Sequence, residues 1–102
     1  MHLVQMLLPL RDPQGKAYGR GIFDDLAREL TGRFGGVTVY TRAPATGLWE
    51  EQSGEMVRDQ VVVYEVMVDK LEPEWWSGFR TRLETQLGQE ELVIRAHEIR
   101  RL

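Results

Sequence analysis

Val61-Val62-Val63-Tyr64-Glu65-Val66-Met67-Val68 is the longest β-branched run in the chain. Apolar side chains at nearly every position suit a strand covered on both faces. Glu65 interrupts the run. Side chains alternate along a strand, so Glu65 shares a face with Val63 and Met67 and cannot turn to the other face unless the strand bulges. The strand is expected to extend from Val57 to Asp69.

Upstream, Val37 to Arg42 alternates Val37, Val39 and Thr41 against Thr38, Tyr40 and Arg42, which predicts a strand antiparallel to the first. Ala43 to Met56 holds Pro44, Gly47 and Gly54 and reads as a long connection with Leu48-Trp49 extended inside it. Ile22, Phe23, Leu26, Ala27, Leu30 and Phe34 fall on one stripe at helical spacing, so Ile22 to Phe34 reads as an amphipathic helix. Its acids come early and Arg33 late, as the helix dipole favours, and Gly35-Gly36 stops it. Pro73 opens a second helix, with Trp76, Phe79, Leu83 and Leu87 as its stripe, Trp75 on the shoulder and Gly88 at its end. His2 to Leu10 is a strand whose ladder ends near Pro9. Leu92 to Ile99 is the last strand. Arg11 to Gly21 is glycine-rich and reads as a flexible loop. It is not a P-loop, because no Gly-Lys-Ser/Thr stands at the required spacing.

The order strand, helix, strand, strand, helix, strand predicts a ferredoxin-like α+β fold. Four antiparallel strands carry both helices on one face, with the first and third strands in the centre. The 102 residues form one domain, 1–102. A net charge of −3 without a basic stripe argues against nucleic acid. The apolar start lacks a basic leader and a small-residue cleavage site, so no signal peptide is read. No run reaches the roughly 18 apolar residues of a membrane span. The absence of cysteine fits a cytoplasmic protein. Without cysteine, and with only His2 and His97, neither a metal site nor a cofactor is expected.

Two helices cover only one face of such a sheet. The helix-facing set is Val4, Met6, Leu8, Val37, Val39, Val62, Tyr64, Val66, Val68, Leu92, Ile94 and Ala96. The other face carries Leu3, Leu7, Val61, Val63, Met67 and Val93 together with Gln5, Thr38, Tyr40, Arg42, Glu65, Arg95 and His97. An apolar patch of this kind calls for a cover, and the simplest is a second copy of the same face about a two-fold axis. The expected assembly is a homodimer whose sheets face each other.

The polar residues on that face admit two readings. In the structural one, Glu65 pairs with Arg95 or Arg42 and fixes the dimer register. In the functional one, the face holds a small organic ligand. Glu65 or His97 then serves as a catalytic base, and Gln5, Tyr40, Arg42, Arg95 and Trp49 as binding residues, with an arginine on an anionic group.

Phe34-Gly35-Gly36-Val37-Thr38, then Ala45-Thr46-Gly47-Leu48-Trp49, Gly54 and the Val61 to Val66 strand resemble a group of small bacterial proteins of unknown function. Those carry a phenylalanine-glycine-threonine segment, a glycine-x-tryptophan segment and a valine-rich strand. The fold also resembles the dimeric α+β barrel proteins, among them cofactor-free monooxygenases, isomerases and stress-responsive proteins. The resemblance implies a dimer and a cavity, and it supplies no reaction. The alternative is a structural or regulatory homodimer with neither ligand nor activity.

Overall fold

β1 (His2–Pro9) and β3 (Met56–Val68) lie side by side in the middle of the sheet, paired antiparallel from His2↔Val68 to Pro9↔Val61. The computed structural model describes residues 1–50, 54 and 56–102, with the side chains of 41–47, 49–50 and 56–59 outside the description. β2 (Thr38–Glu50) pairs with the outer side of β3, and β4 (Val93–Glu98) with the outer side of β1. The sheet order is therefore β2-β3-β1-β4. With α1 (Arg20–Phe34) and α2 (Pro73–Leu87) in their places along the chain, this is the ferredoxin-like arrangement.

The two-residue period of β1 and β3 sorts their side chains cleanly. Val4, Met6, Leu8, Val62, Tyr64, Val66 and Val68 are buried, and they form one core with Leu26 and Leu30 of α1 and Trp76, Phe79, Leu83 and Leu87 of α2. Leu92, just before β4, is also buried; its backbone N–H donates to Glu84 Oε2 at 2.9 Å. Val37, Val39 and Ile94 pack against this core half-buried. Ala96 is on the expected helix-facing side of the sheet but is not buried. It pairs with Val4 in register and is exposed on the edge strand β4.

Both helices end as their glycines require. Gly35 and Gly88 take left-handed conformations, φ 83° and 66°, and their N–H groups return to the last turns. Pro73 opens α2, where its missing donor costs nothing. α1 begins at Arg20, two residues before the apolar stripe suggests, so Asp24 and Asp25 fall in its second turn and no acid occupies its first. Phe34 stacks on Trp76, with centroids 5.2 Å apart and planes 9° from parallel, and meets Trp75 edge-on at 5.4 Å. The Arg33 guanidinium lies 4.1 Å above the Trp75 ring.

Two loop expectations change. Ala43 to Met56 is not a simple connection: β2 continues to Glu50 and β3 begins at Met56, paired out to Glu50↔Met56. Pro44 falls inside a register shift between Tyr40 and Ala45. An edge strand tolerates both proline and a bulge, since one side of it has no ladder to satisfy. The segment between Arg11 and Gly19 is pinned rather than free. Arg11 bridges Ala17, Asp12 Oδ1 accepts from the N–H groups of Gln14 and Lys16, both at 2.9 Å, and the Tyr18 hydroxyl donates to the carbonyl of Leu87.

Candidate functional site

The face of the sheet away from the helices is built by the odd-numbered residues of β1 and β3. The antiparallel register sets Gln5 opposite Glu65 on one side and Arg95 on the other. Thr38 stands opposite Glu65, and Tyr40 opposite Val63 two pairs along, on the same face. Four strands thus contribute to one polar row running across the sheet.

Hydrogen bonds fasten this row. The Gln5 amide donates from Nε2 to Glu65 Oε1 at 2.6 Å. The Tyr40 hydroxyl donates to Glu65 Oε2 at 3.1 Å. Arg95 donates from Nε to Gln5 Oε1 at 3.0 Å. Both carboxylate oxygens of Glu65 are held, each by a different strand. Within one chain, Gln5 stands between Glu65 and Arg95 because β1 lies between β3 and β4, and the side chain of Arg42, the other expected partner of Glu65, lies outside the described residues.

The Tyr40 phenol is pushed above its ordinary range. The hydrogen bond it donates to Glu65 is the main cause, followed by the negative charge of that carboxylate and a little desolvation. The phenol is therefore held as a donor beside an anchored carboxylate, which still has unused lone pairs.

Apolar rows flank the polar one. Leu7, Val63 and Val93 stand in register on one side, Leu3 and Met67 on the other. Leu3, Leu7, Val61 and Val63 are half-buried, while Tyr40, Met67 and Val93 are each about half exposed at 49%, 49% and 48%. His97 lies on the same face opposite Leu3. It is exposed and two residues along β4 from Arg95, outside the hydrogen-bonded row. The side chains of Arg42 and Trp49 lie outside the described residues. The structure thus brings together Gln5, Tyr40, Glu65 and Arg95 of the seven candidates.

One feature was not legible from strand alternation. A groove of about 870 Å³ opens at the Glu65 end of the sheet, between the Gly35-Gly36 turn, the end of β3 and the C-terminal tail. Glu65, Met67 and Thr38 line it from the sheet, and its charges are balanced, with Arg33, Lys70 and Arg101 against Glu65, Asp69 and Glu72. The pair Gly35-Gly36 was its one signal, since two residues without side chains leave open space beside a strand end. Among the described residues, no group of three or more His, Cys, Asp or Glu side chains could hold a metal ion, and no helix is long and apolar enough to cross a membrane.

No protein-family model matches the chain, and no curated protein matches it. Among solved structures, the chain is similar to a phage SAM lyase in complex with S-methyl-5′-thioadenosine. The TM-score is 0.64 with 16% identity, over 95% of this chain and 80% of that one. At that identity the likeness establishes the shared α+β fold.

Proposed function

We propose that this protein is a cytoplasmic homodimer that binds a small organic ligand over the polar row of its open sheet face. The observation that carries this reading is the anchored Glu65. It is fixed by Gln5 and Tyr40 at 2.6 and 3.1 Å and set between two apolar rows. Apolar walls around a few convergent polar groups are the usual make-up of a small-molecule site. The ligand presents N–H, O–H or cationic groups to Glu65, Tyr40 orients a second polar atom, and Arg95 at the far end of the row receives an anionic or carbonyl group. Glu65 and, at the rim, His97 are the groups able to accept a proton if the site is catalytic. Arg42 and Trp49 follow the same strand β2 and complete the binding set.

The similar fold of the phage SAM lyase supports S-methyl-5′-thioadenosine as the first probe, since that molecule joins an apolar thioether to several hydrogen-bond donors. Calorimetric titration of the wild-type protein is expected to give saturable binding, weakened about tenfold or more in Glu65→Gln by loss of a charge-assisted hydrogen bond. If neither this probe nor any member of a small-organic thermal-shift panel binds in a Glu65-dependent way, the ligand reading falls.

A second reading is favoured by one observation: the row satisfies itself, with Gln5 bridging Glu65 and Arg95 and no ligand atom needed. On that reading the protein is a structural or regulatory homodimer, and Glu65→Gln changes assembly but no binding.

A further inference from the structure

The polar row is bipolar. Arg95 on β4 marks one end, and Glu65 with Tyr40 on β3 and β2 marks the other, with neutral Gln5 between. Two sheets packed face to face sit about 10 Å apart, with strand directions within about 30° of each other in the aligned class. Two in-plane two-fold axes are compatible with that alignment. An axis along the row sets each strand over its own copy, so Arg95 faces Arg95 and Glu65 faces Glu65. An axis parallel to the strands reverses the strand order across the interface. It sets the β4 side of one copy over the β3 and β2 side of the other, and both apolar rows still meet themselves. Like charges facing each other in a covered interface are costly, and opposite charges favour association.

We infer that the second copy docks about an axis parallel to the strands, so that Arg95 of each copy covers the Glu65–Tyr40 half of the other. This rests on the homodimer proposed above and deepens it. Each carboxylate then has a cation from the opposite chain, and each site is incomplete in a single protomer. Arg95 is suited to the reach, because it is exposed and, among the described residues, its hydrogen bond is the one from Nε to Gln5. Any ligand over Glu65 is enclosed by one chain's carboxylate and the other chain's arginine.

The test uses single charge reversals. Glu65→Arg and Arg95→Glu are made separately, and self-association is followed by sedimentation velocity and native mass spectrometry. Wild type is expected to be dimeric at micromolar concentration. Each reversed variant opposes like charges twice in its own dimer and is expected to dissociate about tenfold or more readily. Mixed together, the two variants restore both opposite-charge contacts, so the heterodimer exceeds its statistical share. If Glu65 and Arg95 interact only within one chain, each variant is broken whatever its partner, and mixing restores nothing. If the axis runs along the row, each variant self-associates no worse than wild type. Either result overturns the inference while leaving the dimer standing; a monomeric wild type overturns the dimer itself. Far-UV circular dichroism checks that each variant folds. Should a reversal not fold, Glu65→Gln and Arg95→Gln, each alone, carry the test. About the proposed axis each Gln variant loses its opposite-charge contacts and self-associates less readily than wild type, whereas an axis along the row removes a like-charge pair and makes each self-associate more readily, which refutes the arrangement.

Discussion

Arg95 donates to Gln5 at 3.0 Å, one strand short of the Glu65 carboxylate. The Gln5 amide is committed at both ends: its oxygen accepts from β4 and its nitrogen donates to β3. A carboxylate in its place could accept from Arg95 but not donate to Glu65. Gln5→Glu is therefore expected to destabilise the fold by on the order of 1–2 kcal/mol at neutral pH, through an unmade hydrogen bond and two facing carboxylates. One shared proton repairs the pair, so the deficit shrinks as pH falls. Urea melts of this variant and wild type at neutral and mildly acidic pH measure it.

Trp76 is buried on α2 and stacks on Phe34 while meeting Phe79 edge-on at 5.6 Å. Trp76→Ala removes the largest side chain from the layer between the helices and is expected to cost about 3–5 kcal/mol. A urea melt showing a loss within error would place the indole outside the core.

Tyr40 and Tyr64 both titrate above the usual tyrosine range, Tyr40 through Glu65 and Tyr64 chiefly through burial with a contribution from Asp24. For a phenol, a raised folded value means that the unfolded chain loses its proton first. Stability from these groups is whole below about pH 10 and declines as pH rises through their folded values. The thermal midpoint is expected to drop on that alkaline side. In Glu65→Gln the Tyr40 titration, followed by ring chemical shift, moves down toward the ordinary value while that of Tyr64 stays. An unmoved Tyr40 would mean that the bond to Glu65 does not form in solution.

Gly35 closes α1 with φ 83° and donates its N–H to Thr31 O. No heavy atom lies within 4 Å of where a Cβ would stand, so the cost of a side chain there is conformational alone. Gly35→Ala is expected to lose about 1–2 kcal/mol, read from the shift in urea midpoint at unchanged slope.

The core was legible because period and burial agree in it. Val62, Tyr64 and Val66 alternate with Val63, Glu65 and Met67, and the structure buries the first set and leaves the second on the open face. The α2 stripe of Trp76, Phe79, Leu83 and Leu87 is buried as its spacing requires. Pro44 and Gly47 hid the length of β2, since both weaken a strand locally while an edge position tolerates them. The partners of Glu65 were hidden for another reason. Alternation places a residue on a face, but only the cross-strand register says which neighbour it reaches. That register put Gln5 between the two charges. The anchoring of Tyr18 to Leu87, across α1 and most of the chain, leaves no local trace in a glycine-rich segment.

The two margins of the sheet are unlike its face. β2 carries Pro44, which has no N–H to offer a further strand, at a break in its own pairing. β4 is six residues long, with Arg95, His97 and Glu98 exposed along it. Short strands, charges and proline are the features that keep sheets from adding neighbours side by side and growing into fibrils. Both edges therefore work against growth in the plane of the sheet. In the homodimer proposed above, contact through a face about a two-fold axis closes after two chains, so covering the open face in that way does not lead on to a polymer.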